Sequence, residues 1–189
     1  LLDIAKPQIG LITTIGEVPV HVEFYSGPEA VAREKAKVIE SLPVTGFAIL
    51  NYDDQAVFDM KDRTRAHIMT YGFGDGATLQ ITNFETTMAE NGPGGINFKL
   101  NYGGSFVPVR LDGCFGKAQA YAAAAAASVG IAFGLNLVKI SEALLDYEVP
   151  PGRGKLLPGI KHTYIIDDSY NASPLSMEAA IHTLDNLTA

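Results

Sequence analysis

Residues 8–54 read QIGLITTIGEVPVHVEFYSGPEAVAREKAKVIESLPVTGFAILNYDD, and this stretch decides the fold. Ile9 to Ile15 is a short apolar run with β-branched residues, bounded by Pro7 and Gly16. It reads as a buried strand. Gly27-Pro28-Glu29 opens a helical stretch, with proline in the first turn and an acid beside the positive helix end. Ala30, Val31, Val38, Ile39 and Leu42 supply its apolar positions, and Pro43 closes it. Gly46 to Leu50 is the next buried strand, ending at Asn51-Tyr52-Asp53-Asp54. Strand, helix and strand within about forty-five residues predict a βαβ unit and a parallel strand pair.

Working outward, the pattern changes after residue 54. Ala66 to Tyr71, Thr78 to Thr87, Gly95 to Tyr102 and Phe106 to Leu111 alternate loosely between glycine-rich turns. They predict an antiparallel patch of hairpins added to the parallel sheet. Helices are expected at about Ala118 to Leu135 and Leu137 to Tyr147. The alanine run 122–127 suits a helix packed closely on a sheet. A loop rich in proline and glycine follows from Val149 to Lys155. A last apolar strand, Tyr164-Ile165-Ile166, leads through Asp167-Asp168-Ser169-Tyr170-Asn171 into a helix from about Pro174 to Leu187. The expected fold class is α/β, a mostly parallel sheet with flanking helices carrying the antiparallel patch. Residues 1–150 are expected to form the main domain, 151–163 a linker, and 164–189 the first strand and helix of a second α/β domain.

Composition narrows the function. The 189 residues (20.2 kDa) are 47% apolar and 19% charged, enough to bury a core and too apolar for a disordered chain. Net charge is −7 with a pI near 5.0, which argues against broad binding to a nucleic-acid backbone. Cys114 is the single cysteine, so a disulfide scaffold is excluded; it reads as a small packing residue, compatible with a reducing compartment. The opening residues show no signal peptide, and the chain starts mid-pattern, so further residues are expected before Leu1. Ala118 to Val138 is uncharged, but its alanine, glycine and polar residues favour a buried helix over a membrane span.

Three places can carry chemistry. The loop after the first strand holds Glu17, His21 and Glu23 at a strand's carboxyl end, where open α/β sheets bind ligands. His21 suits either a metal or a turn cap. The helix carrying Arg33, Lys35 and Lys37 is the second place, and from composition alone it reads as a solvated basic face. Asp167-Asp168 with Tyr170 and Asn171 follows another strand end; adjacent acids there suit a sugar hydroxyl or a metal, and equally a turn and helix cap.

Taken in order, IAKPQIGLITTIGEV, HVEFYSGPEAVAREKAKVIESLP, GFAILNYDD and GRGKLLPGIKHTYIIDDSYNASPLSMEAA resemble the Mur ligase family over the whole of 1–189. These ATP-dependent enzymes join an amino acid or peptide to a UDP-linked muramoyl precursor of peptidoglycan. The turn DDSYNASPLSMEAA is similar to the DDxYNAxPxSM signature of members that add D-alanyl-D-alanine to the UDP-N-acetylmuramoyl-tripeptide. The resemblance implies a central ATPase domain followed by the first strand and helix of a Rossmann-like C-terminal domain. It also implies a cytoplasmic and monomeric parent, with no nucleic-acid partner and no membrane insertion. In the family a histidine matched by His21 binds magnesium, and a carbamylated lysine lies fourteen residues later. Lys35 has that spacing, with Lys37 the competing choice. A carbamate supplies anionic oxygen to a hard cation.

The resemblance further implies that Arg153 contacts nucleotide phosphate and that Asp168 holds the ribose. Tyr170 and Asn171 would shape the cleft between domains. Asn51 and Asp53 match the family's N-x-D-D at a strand end and would either order the site or touch ATP. Two departures stand out. The Gly-Lys-Thr/Ser phosphate loop is absent from the 189 residues, since neither Gly116-Lys117 nor Gly154-Lys155 has its spacing. In the family that loop precedes the position of Leu1. The family's GxHNxxNAxAA helix start is here GKAQAYAAAAA, with Ala118 and Ala122 where His and Asn are expected and Gln119 and Tyr121 beside them. Tyr121 is then the candidate surface for adenine. The rival readings are a folylpolyglutamate-type ligase, against which the YNASP turn argues, and a truncated nucleotide-binding module without catalysis.

Overall fold

The computed structural model describes residues 2, 4–16, 27–89 and 92–188. Its centre is β2 (Phe47–Asn51), the FAIL run of the sequence, buried from Ala48 onward. It pairs in parallel with β1 (Ile9–Ile12) on one side and with β3 (His67–Gly72) on the other. Between β1 and β2 runs α1 (Pro28–Glu40), whose proline starts the helix and whose Lys37 sits in its last turn. The βαβ unit is therefore present as expected.

Successive residues of β2 point to opposite faces, and the two faces are covered by different helices. Ala48 and Leu50 pack with Val57, Met60 and Ile39 of α1, whereas Ile49 joins Tyr71, Leu79 and the alanines 120, 123, 124 and 127. A strand buried on both faces reads as a continuous apolar run, which is why FAIL lacks alternation. Gly10 marks how closely α1 lies on β1: a Cβ there would stand 3.2 Å from Ile39 and Val38.

Ala66 to Tyr71 departs from expectation. It does not belong to the antiparallel patch, because β3 runs parallel to β2 in the register Phe47↔His67 to Asn51↔Tyr71. Residues 52–66 return the chain through a four-residue helix, α2 (Gln55–Phe58), and a 3-10 turn, Asp59–Arg63. These are too short for an apolar period to show, so the crossover was hidden in the sequence. β4 (Leu79–Ala89) still pairs in parallel with β3 over two residues and then forms the antiparallel patch with β5 (Gly92–Tyr102) and β6 (Ser105–Asp112). The six-stranded order is β1-β2-β3-β4-β5-β6.

Two helices follow, α3 (Lys117–Ala132) and α4 (Leu137–Leu144), the latter capped by the Asn136 side chain on the Lys139 amide. α3 carries the alanine run, and its buried residues include Gln119 and Ser128 as well as five alanines. The Ser128 hydroxyl is satisfied by the Ala124 carbonyl at 2.9 Å. Among the described residues, no helix is long and apolar enough to cross a membrane. Cys114 is fully buried, and burial followed by the nearby Asp112 charge pushes its thiol up to about 11, as befits a packing residue.

The range read as a linker contains a strand. β7 (Lys155–Pro158) pairs antiparallel with β8 (Tyr164–Asp167) as a separate two-stranded sheet, followed by α5 (Pro174–Thr188). The Lys-Leu-Leu-Pro segment is short, and its strand character comes from β8 rather than from its own pattern.

Candidate functional site

β1, β2 and β3 end together at one edge of the sheet, and the acids of Asn51-Tyr52-Asp53-Asp54 knit the three exits to one another. Asn51 is buried; its side-chain amide donates to the Thr13 carbonyl at 2.9 Å and accepts the Asp53 N–H at 3.0 Å. Both ends of its amide are used within the protein, so Asn51 orders the β1 and β2 exits. Asp54 Oδ2 accepts from the Thr14 hydroxyl at 2.7 Å and from the Ile15 and Gly16 N–H groups at 2.8 and 3.1 Å. Its other oxygen caps α2 through the Val57 N–H at 3.1 Å. Burial raises the Asp54 carboxyl, but these donors outweigh it and hold the group below its ordinary value.

Asp53 does the same for the β3 exit. Its carboxylate accepts the Phe73 N–H at 2.6 Å, the Gly74 N–H at 2.9 Å and the Tyr121 hydroxyl at 2.6 Å. Gly72 is needed for this approach, since at its φ of 158° a Cβ would stand 2.5 Å from Asp53 Oδ2. Burial first, then the bond to Asp53, pushes the Tyr121 phenol upward, so it remains a donor. The Tyr121 ring meets Phe73 edge-on at 5.1 Å, Phe73 meets Phe84 at 5.8 Å, and the Lys117 ammonium lies 5.2 Å from the Phe73 ring centre. Phe73, Phe84 and Lys117 were not singled out by the sequence reading, because they lie on a turn, a strand and a helix far apart in the chain.

The second group forms where the chain leaves α4. The Arg153 guanidinium stacks 3.8 Å from the centre of the Tyr170 ring. Gly152 donates to Asp167 Oδ2 at 3.2 Å, Gly154 to the Asp167 carbonyl at 2.9 Å, and Tyr170 to the Gly152 carbonyl at 3.1 Å. The Ser169 hydroxyl and amide also bind Asp167 and hold its carboxyl below the ordinary value. Of the two adjacent acids, Asp167 is thus the turn former. Asp168 is half-buried and carries no side-chain hydrogen bond among the described residues. Asn171 is exposed and accepts the Ala172 N–H at 2.9 Å. Gln119 and Tyr147 also reach this place, and nothing in the pattern of the sequence marked them for it. A cleft of about 380 Å³ opens nearby between Phe84, the Gly116-Lys117-Ala118 start of α3, and Leu175 and His182 of α5.

The metal candidates are placed as follows. His21, Glu17 and Glu23 lie outside the described residues. Lys35 is exposed on α1 and has no hydrogen bond or ion pair among the described residues, whereas Lys37 bonds Glu34 at 2.5 Å. Among the described residues no group of three His, Cys, Asp or Glu side chains could hold a metal ion. Asp53 accepts three internal donors and Asp54 four.

Residues 1–130 match the Mur ligase middle domain. The chain belongs to the Mur ligase family. It is 28% identical to the UDP-N-acetylmuramoyl-tripeptide–D-alanyl-D-alanine ligase of Mycobacterium tuberculosis (strain ATCC 25618 / H37Rv), over 97% of this chain and 35% of that protein. A crystal structure of MurF from Acinetobacter baumannii superposes with a TM-score of 0.82 at 27% identity, covering 97% of this chain and 38% of that one. The fold is also that of MurF ligase from Thermotoga maritima in complex with ADP, with a TM-score of 0.81 at 21% identity, over 98% of this chain and 40% of that one. The chain spans little more than a third of the length of the curated Mur ligases it matches.

Proposed function

We propose that these residues belong to an ATP-dependent ligase that adds D-alanyl-D-alanine to a UDP-N-acetylmuramoyl-tripeptide during cytoplasmic peptidoglycan precursor synthesis. The observation that carries this reading is the stack of Arg153 on Tyr170. It joins the linker to the DDSYNASP turn, the part of the sequence most similar to the ligases of this specificity. In this reading 1–150 is the central domain, 151–163 the linker, and 164–189 the start of the C-terminal domain.

The reaction proceeds in two steps. The terminal carboxylate of the UDP-linked peptide attacks the γ-phosphorus of ATP, and ADP leaves from an acyl phosphate. The amine of the dipeptide then attacks the acyl carbon, an amide forms, and phosphate departs. No covalent bond to the protein is required, so the work is positioning and charge neutralisation. Arg153 faces nucleotide phosphate, and Asp168, whose carboxylate is not consumed by the turn, receives the ribose hydroxyls. Asn51, Asp53 and Tyr121 hold the strand exits rigid beneath the nucleotide. His21 and Lys35, as its carbamate, are the proposed magnesium donors; the ion would supply charge neutralisation at the phosphates.

The test uses the longer protein that carries these residues, with ATP, magnesium, the UDP-tripeptide and D-alanyl-D-alanine. Amide product is expected with the dipeptide and not with L-alanine in its place. Asp168→Ala raises the KM for ATP and leaves that for the dipeptide unchanged. Product with L-alanine, or an Asp168→Ala effect confined to the dipeptide, overturns the assignment.

A further inference from the structure

Arg153 can serve a phosphate only if its backbone is held, and the structure shows what holds it. Residues 152–154 are gripped from two sides. Gly152 and Gly154 bond the end of β8 through Asp167, whereas the Arg153 carbonyl turns the other way and accepts from Gln119 Nε2 at 3.0 Å. Gln119 lies in the first turns of α3 and is only 7% exposed. Its Oε1 accepts the Tyr147 hydroxyl at 2.7 Å. The Arg153 carbonyl can only accept, so Nε2 faces it and Oε1 is left to receive the phenol as donor; burial first pushes the Tyr147 titration upward, which keeps that proton in place. The amide orientation is thereby fixed by the network.

We propose that Gln119 is a positioning residue for Arg153. Tyr147 orients the Gln119 amide, the amide fixes the Arg153 carbonyl, and the guanidinium is thereby kept on the Tyr170 ring. The strut ties α3, which packs on the six-stranded sheet, to the loop before β7, which in turn bonds the end of β8, so it couples the two parts of the chain at the residue read as the phosphate contact. A buried amide satisfied at both ends is costly to half-remove, and it is specific, because no apolar side chain of the same length can donate. The consequence for phosphate binding rests on the reading of Arg153 given under Proposed function; the strut itself does not.

The experiment measures both separately in the 189-residue chain. The Arg153 Nε–Hε resonance reports the ring above it, and Tyr170→Ala gives its position without the stack. In Gln119→Met this resonance is expected to move to the Tyr170→Ala position, and ADP affinity to fall about fivefold, the worth of one hydrogen bond, while adenosine binding is unchanged. Tyr147→Phe removes one hydroxyl, moves the resonance in the same direction, and decides the matter if Gln119→Met does not fold. A folded Gln119→Met, or failing that Tyr147→Phe, with the Arg153 resonance unmoved overturns the strut. An Arg153→Ala chain that binds ADP as tightly as the unmodified chain overturns the phosphate reading instead and leaves the strut standing.

Discussion

Asp53 and Asp54 are neighbours with the same side chain, yet each closes a different strand exit. Asp54 holds Thr14, Ile15 and Gly16 after β1, and Asp53 holds Phe73 and Gly74 after β3. Because Asp54 Oδ2 accepts three donors, an amide nitrogen placed there would face them. Asp54→Asn should therefore destabilise the chain by about 1–3 kcal/mol, toward the low end because the site is partly solvated. The pH sign follows from the lowered carboxyl. Its stabilisation is present above the unfolded carboxylate value, about 3.9, and is lost as pH falls through the lower folded value. Thermal melts between pH 7 and 2 should show a shallower acid decline in Asp54→Asn; an unchanged slope would count against the network. At Lys35 the expected result is a carbamate. A chain equilibrated with 13C-bicarbonate should give a carbamate carbon signal that disappears in Lys35→Arg and persists in Lys37→Arg. The reverse pattern would transfer the role to Lys37.

At the scale of the element, α3 shows how composition becomes packing. Ala123, Ala124 and Ala127 are buried against the sheet, whereas Ala122 and Ala126 are exposed. Identical residues thus have opposite roles on one helix. The small side chains let the axis lie close to Ile49, Tyr71 and Leu79, and this closeness brings Tyr121 to Asp53 and Gln119 to Arg153. Ala124→Leu should overpack that face and cost about 1–3 kcal/mol. Ala126→Leu should change stability by less than about 0.5 kcal/mol. Urea denaturation of both variants checks the contrast, and equal losses would mean that α3 does not lie on the sheet as described.

At the scale of the molecule, the six-stranded sheet and the β7-β8-α5 unit meet around residues 152–154, and the candidate site residues are divided between them. Asp168 and Tyr170 belong to one, Asp53 and Tyr121 to the other. Transferring a phosphoryl group needs several backbone N–H groups and a lysine around the β- and γ-phosphates. Residues 1–189 contain no Gly-Lys-Thr/Ser loop to provide them. The 189-residue chain with magnesium, ATP and the UDP-tripeptide should therefore release no more phosphate than a control without protein. Substrate-dependent release that persists through repurification would place the phosphate-binding apparatus within these residues.

The sequence by itself determined the βαβ unit, the buried helix and the family, because each rests on local period or on residues adjacent in the chain. Ile9 to Ile15, the Gly27-Pro28-Glu29 start and the FAIL strand each carry their own signal, and DDSYNASPLSMEAA is contiguous. The direction of β3 was decided only in three dimensions, since it depends on a crossover too short to show a period. β7 likewise owes its strand to its partner. The candidate residues Asn51, Asp53, Tyr121 and Arg153 were legible as residues, but their work was not. Tyr121 donates to Asp53 across 68 positions and Gln119 to Arg153 across 34. Hydrogen bonds of that range leave no spacing in the sequence; they exist only once the alanine face of α3 has settled on the sheet.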